Sequence, residues 1–219
     1  MKSAIFDLDG VIVDTAKFHY YAWKQTAQKL DYKLTVNQNE KLKGISRKDS
    51  LSLLLKWSGK NISIKKFNNL LVYKNNLYLD RIKKLTKDDS LPGINRLLNY
   101  FKNAGVKIAL GSASKNSKIV LNKLSLIDFF DVIIDGNDVI NSKPNPEVFF
   151  KGAKALGVFN SDCIVFEDSQ AGVKAAKSAN MDVIGICASK HNLKHTLLNI
   201  SSFLEIDPDN LLKYFEKND

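Results

Sequence analysis

Five short apolar runs constrain this chain more than any other feature. Ser3–Phe6, Val106–Leu110, Val132–Ile134, Cys163–Phe166 and Val183–Ile186 are brief and rich in β-branched residues. The first four end in polar or small residues: Asp7-Leu8-Asp9-Gly10, Gly111-Ser112, Asp135-Gly136 and Glu167-Asp168. Uninterrupted apolar runs of this length mark parallel strands buried on both faces, not half-exposed hairpins. Helical patterns separate them. Pro92-Gly93 opens a helix that runs to about Asn103, and Ser114 is a candidate cap for another that runs to Leu124. Asn145-Pro146-Glu147 is read as an N-cap, a first-turn proline and an acidic first turn, with Gly157 closing that helix. A further helix spans Ser169 to Ala179. The alternation predicts an α/β fold: a doubly wound, Rossmann-like parallel-sheet core.

One region breaks the rhythm. From about Ala16 to Lys87 there is no strand-like run, and Phe18–Leu30, Val36–Leu42, Arg47–Trp57 and Ile64–Leu85 all follow helical spacing. This predicts a small all-helical domain, residues 15–88, inserted after the first strand of a core formed by residues 1–14 and 89–219. Asp14-Thr15 and Lys87–Ser90 would be its hinges. The 219 residues suit this division at roughly 150 residues per domain, and an apolar content of 44% excludes a disordered chain.

Lys and Arg exceed Asp and Glu by 33 to 23, a net charge of +10. Such a balance fits nucleic acid or small phosphorylated ligands. The excess is scattered lysine, and its densest stretch, Lys56–Lys66, is interleaved with Trp57, Ile62 and Ile64 like a solvated helix face. We therefore expect a small-molecule phosphate ligand and no nucleic acid. Cys163 and Cys187 lie in apolar runs and are expected to be reduced. No signal-peptide pattern and no apolar run of ~20 residues is present, so the expected setting is the cytoplasm, without a membrane.

Ligands of open α/β sheets sit at the carboxyl ends of the strands. Asp7, Asp9, Glu167 and Asp168 gather there, with Ser112, Ala113 and Lys143. Four close carboxylates cannot all stay ionised without a cation, and hard oxygen ligands without His or Cys suit Mg2+. A carboxylate can act as a nucleophile towards phosphorus, and a second one two residues on can exchange protons with the leaving or attacking oxygen. Ser112 and nearby backbone amides can hold phosphate oxygens. Taken singly, Asp-x-Asp-Gly is only a polar turn, Glu167-Asp168 a helix start and Lys143 a loop lysine. Their joint order, each at the end of its own apolar run, favours a site.

Those segments resemble the four motifs of the haloacid dehalogenase superfamily: Phe6-Asp-Leu-Asp-Gly-Val-Ile-Val-Asp-Thr15, Gly111-Ser112-Ala113-Ser114, Ser142-Lys143-Pro144-Asn-Pro146 and Phe166-Glu-Asp-Ser-Gln-Ala-Gly172. The resemblance implies a phosphoaspartate on Asp7, acid–base work by Asp9, and Lys143 bridging Asp7 and the phosphoryl group. It also implies Mg2+ held by Asp7, the Asp9 carbonyl and Asp168, with Glu167 adding to the acidic site. The insert resembles the cap of the β-phosphoglucomutase branch, through Thr15-Ala-x-x-His19-x-x-Ala22-Trp23-Lys24, Leu42-Lys43-Gly44-Ile-Ser46-Arg47-Lys-Asp-Ser50-Leu51, Lys74-Asn75 and Ser112-Ala-Ser-Lys-Asn116.

That branch implies interconversion of β-glucose 1-phosphate and glucose 6-phosphate by a monomer, with glucose 1,6-bisphosphate as intermediate. Arg47 would grip the distal phosphate, helped by Ser46 and Asn116, while Gly44 lets the chain approach the sugar. Lys43 and Ser50 belong to the same sugar-facing stretch. His19 and Lys74 would couple closure to Asp9. Each has a plainer reading: His19 as a residue packed with Trp23, Arg47 as a helix cap or partner of Asp49, Lys74 as a surface lysine. A sugar-phosphate phosphatase is the alternative activity. His191 and His195 are taken as surface residues.

Overall fold

The structure is a computed structural model and describes residues 3–187 and 192–216. Six parallel strands form one sheet: β1 (Ser3–Phe6), β2 (Lys107–Gly111), β3 (Val132–Ile134), β4 (Cys163–Glu167), β5 (Asp182–Ile186) and β6 (Leu198–Ile200), in the order β3-β2-β1-β4-β5-β6. The five predicted runs are the first five strands. β6 was not anticipated: three residues, Leu-Asn-Ile, carry too short a pattern to read. Strand order reverses at β1, which pairs β2 through Phe6↔Leu110 and β4 through Phe6↔Phe166. That reversal opens a crevice beyond the carboxyl end of β1.

Between β1 and β2 stand α1 (Ala16–Gln28), α2 (Val36–Glu40), α3 (Arg47–Ser58) and α4 (Ile64–Ile82). They have a hydrophobic cluster of their own, built on Trp23, Ala27, Leu30, Leu42, Leu51, Leu54 and Leu70. Ser46 and Ser63 cap α3 and α4 by accepting the Asp49 and Lys66 amides, and Gly59 ends α3 in the left-handed region. The Lys56–Lys66 stretch is therefore a helix end, a loop and a helix start, not one continuous face. The chain enters and leaves the insert side by side: Val13 bridges Ser90, and the Leu91 amide donates to the Ile12 carbonyl at 2.8 Å.

Period-two alternation distributes the strand side chains between two cores. Phe6, Leu110 and Phe166 face α5 (Ile94–Asn103) and α6 (Ser117–Lys123), with Phe6 and Phe166 stacked at 4.5 Å. Ile5, Ala109 and Val165 face α7 (Glu147–Leu156) and α8 (Gln170–Ser178). Burying each of these large side chains contributes roughly 1.5–3 kcal/mol. Two helix starts shift from expectation. Ser114 makes a turn instead of a cap, its hydroxyl accepting from Asn116 N and its carbonyl from Ser117 Oγ, so α6 begins at Ser117. Pro146 is itself the cap of α7, and Asn145 reaches over it to the Glu147 amide at 3.0 Å. A terminal helix, α9 (Pro208–Glu216), was also unforeseen. Cys163 is buried and Cys187 half-buried, both unpaired. His195 is exposed, and His191 lies outside the described residues. Among the described residues no helix is long and apolar enough to cross a membrane.

Candidate active site

Asp7 follows β1 directly and extends its ladder, its amide donating to the Phe166 carbonyl at 3.0 Å. Beside it Lys143 is buried and spends all three ammonium protons: on Asp7 Oδ1 at 2.6 Å, Glu167 Oε1 at 2.7 Å and the Gly111 carbonyl at 3.0 Å. Burial opposes its charge, but Asp7 and Glu167 more than offset that and hold Lys143 above its usual pKa. One ammonium thus serves two carboxylates, with Asp9 and Asp168 close by. Burial, then Glu167 and Asp9, push Asp7 up to about 7 in spite of Lys143. Burial, Glu167 and Asp7 likewise push Asp168 well above the carboxylate range, with Lys43 Nζ only 3.7 Å away to oppose them. The rim is short of positive charge.

That deficit and the all-oxygen donor set fit a hard divalent cation. Among the described residues no three His, Cys, Asp or Glu side chains form a metal cluster, so carbonyl, water or substrate oxygens would have to complete the shell. Glu167 faces away from such a role in this arrangement. Its Oε1 is taken by Lys143 and its Oε2 by the amide and hydroxyl of Ser169, at 2.8 and 2.9 Å. Gly10 turns the chain after Asp9 at φ +87°, and any Cβ there would collide with the Asp168 carboxylate.

Asp9 Oδ1 accepts from the Thr15 hydroxyl and, at 3.3 Å, from the hydroxyl of Tyr78. His19 Nε2 stands 3.5 Å from the same oxygen. Lys74 Nζ lies 2.7 Å from His19 Nδ1; when the ammonium donates there, the ring proton sits on Nε2, on the side of Asp9. Burial and Lys74 push His19 down, so at neutral pH the ring meets Asp9 as a dipole, not as a cation. Burial works against ionised Asp9, but these partners keep its carboxyl below the ordinary range. Lys74 is not the surface lysine of the plainer reading: it is buried, 5.0 Å from the centre of Trp23 and 4.9 Å from that of Tyr78. Burial and Arg47 bring its pKa down to about 7.

A cavity of about 330 Å³ joins the sheet rim to the insert. From the rim it receives Asp7, Asp9, Asp168, Ser112, Ala113 and Asn116; from the insert His19, Trp23, Lys43, Gly44, Ser46, Arg47, Ser50 and Lys74. Of the sequence-predicted residues, only Thr15, Lys143 and Glu167 stand behind its wall. Arg47 has no carboxylate partner among the described residues. Asp49, its suggested partner, instead accepts from Ser46 Oγ and, across the cleft, from Ser142 Oγ, both at 2.6 Å. Asn116 Nδ2 donates across the cleft to Asn75 Oδ1 at 3.0 Å. A Cβ on Gly44, at φ +73°, would lie 2.5 Å from Ser169 Oγ, so the insert's backbone approaches the core closely there. Sequence reasoning overlooked Tyr78, Asn39, Lys48, Lys115 and the two cross-cleft bonds. Tyr78 alone had a usable signal, one turn beyond Lys74 on the same helix face.

The haloacid dehalogenase-like hydrolase family matches residues 4–186. A beta-phosphoglucomutase of Bacillus subtilis (strain 168) is 44% identical over 191 residues, 85% of this chain and 83% of its own. The crystal structure of a beta-phosphoglucomutase from Clostridium difficile superposes with a TM-score of 0.94 at 40% identity, covering 100% of this chain and 98% of that one. A phosphorylated carbohydrates phosphatase of Thermotoga maritima is 28% identical over 223 residues, 99% of each chain. With its parallel sheet, its rim of carboxylates around a buried lysine and these matches, the chain belongs to the haloacid dehalogenase-like hydrolase family.

Proposed function

We propose that the protein is a Mg2+-dependent phosphomutase that interconverts β-glucose 1-phosphate and glucose 6-phosphate through a phosphoaspartate. The observation that carries this reading is the two-ended cavity: Asp7 and Asp9 at the rim, and on the insert Arg47 without a carboxylate partner among the described residues. A phosphatase needs a place for one phosphate. A mutase must hold a bisphosphate whose second phosphate lies far from the nucleophile, and an Arg can grip it bidentately. The likeness to two beta-phosphoglucomutases, over 85% of this chain in one and all of it in the other, supports the same reading.

Residues 15–88 act in this proposal as a cap over the core of residues 1–14 and 89–219. Phosphorylated Asp7 gives its phosphoryl group to the C6 hydroxyl of β-glucose 1-phosphate, and Asp9 takes the proton of that hydroxyl. The bisphosphate turns over. Asp7 then attacks the C1 phosphorus, the C1–O–P bond breaks at phosphorus, and Asp9 returns its proton to the C1 oxygen. Glucose 6-phosphate leaves and the phosphoaspartate is restored. Lys143 holds Asp7 and neutralises charge on the phosphoryl group, with Ser112 donating to it. Asp7, Asp168 and the Asp9 carbonyl would hold Mg2+, which supplies further charge neutralisation when bound. Thr15, His19 and Lys74 set the orientation of Asp9. The setting we propose is the cytoplasm, because phosphorylated sugars do not cross membranes unaided.

The test feeds β-glucose 1-phosphate with a trace of the 1,6-bisphosphate and Mg2+, and follows glucose 6-phosphate against free phosphate. Glucose 6-phosphate should dominate, and chelation of the metal or Asp7→Ala should stop turnover. Predominant release of phosphate would reject the mutase in favour of a phosphatase, the activity named for the Thermotoga relative.

A further inference from the structure

Among the five residues of α2, Asn39 alone is buried. It retains 8% of its surface and lines the cavity. Its neighbours are tied outward. Thr35 and Gln38 close a capping box, Gln38 Nε2 donates to the Tyr32 hydroxyl at 2.5 Å, and Glu40 pairs with Lys43 at 3.0 Å. The Asn39 side chain has no hydrogen-bond partner among the described residues. A primary amide carries two donors and an acceptor, and those of Asn39 open onto the cavity, where a ligand can meet them. We infer that Asn39 is a sugar-specificity residue whose amide pairs with a hydroxyl of the bound sugar; this rests on the mutase reading.

A hydroxyl fits this position better than a phosphate does. It both donates and accepts, as the amide does, whereas a phosphate needs donors alone and finds them in Arg47 and the rim. The same cavity is lined by the uncharged Trp23, Leu42 and Gly44 as well as by its charged residues. Reading a neutral hydroxyl is a task for an amide.

The experiment compares kcat/KM of the full-length enzyme and its Asn39→Leu variant on β-glucose 1-phosphate and its 2-, 3- and 4-deoxy analogues. The wild type should lose roughly ten- to a hundred-fold on one of the three analogues. The variant should show that loss already on β-glucose 1-phosphate, with no further loss on that same analogue and an unchanged response to the other two. Its melting temperature should stay close to that of the wild type, since the substitution removes no hydrogen bond within the chain. Wild-type kinetics in the variant, or a uniform loss that leaves every deoxy penalty in place, would overturn the inference. A wild-type enzyme inactive on all four sugars would overturn the mutase reading, and this inference with it.

Discussion

Replacing Lys143 with Met tests the electrostatic account of the rim most directly. The ammonium is the shared counter-charge of Asp7, 4% exposed, and Glu167, fully buried. Methionine fills much the same volume but leaves both carboxylates unpaired. Removing one partner of a buried ion pair costs about 3–5 kcal/mol, because the remaining charge cannot regain water. For a chain of this size that corresponds to a fall in Tm of roughly 6–20 °C. The loss depends on pH with a definite sign. Without the ammonium the folded-state pKa of Asp7, already raised to about 7, climbs further above that of the unfolded chain. A raised carboxyl pKa favours the fold below the unfolded pKa, near 4, and that support is lost as pH climbs through the folded value. The deficit should therefore be largest at pH 8 and should shrink towards pH 5. Far-UV circular dichroism in urea is the suitable probe, because both tryptophans, Trp23 and Trp57, lie in the helical insert and would report it alone. Adding Glu167→Gln should recover at least half of the loss: one orphaned charge disappears, while the amide oxygen still accepts from Ser169. A deficit under about 1 kcal/mol at pH 8, a deficit unchanged at pH 5, or a double variant weaker than Lys143→Met would refute the reasoning.

Gly172→Ala would place a Cβ on the Glu167 carboxylate, which has nowhere to move. We expect a loss of at least ~2 kcal/mol in thermal or urea unfolding, with turnover lowered at least ten-fold; a variant of wild-type stability would show that Glu167 is not held as described. Lys74→Met probes a lysine whose pKa burial and Arg47 bring down to about 7. Between that value and 10.5 the unfolded chain binds a proton that the folded one lacks, so this lysine destabilises the fold at pH 7 and less so as pH rises. The stability of the wild type relative to Lys74→Met should improve by about 2 kcal/mol from pH 7 to pH 9; a pH-independent difference would contradict the buried placement.

Much of the architecture was legible along the chain because burial on both faces leaves a local signature. Five apolar runs marked five strands, and the register Phe6↔Phe166 brings the residues that follow β1 and β4 to one rim. The four insert helices showed their spacing within one or two turns of sequence. The unpredicted β6 is an edge strand of three residues, held by pairing with β5 more than by its own pattern.

What no local pattern held is where side chains point once distant segments meet. Lys143 lies 136 positions from Asp7, and only the packed sheet places its ammonium between that carboxylate and Glu167. Lys74 and Asn39 carry polar side chains that composition assigns to solvent, and both are buried against the cavity. Asp49 was a candidate partner for its near neighbour Arg47, but it bonds Ser142, 93 positions away across the cleft, and Arg47 has no carboxylate partner among the described residues. Periodicity follows from each segment burying its own apolar face, so it can be read locally. Partnerships between polar groups depend on which segments share a dry interior, and that is set when the whole chain has folded.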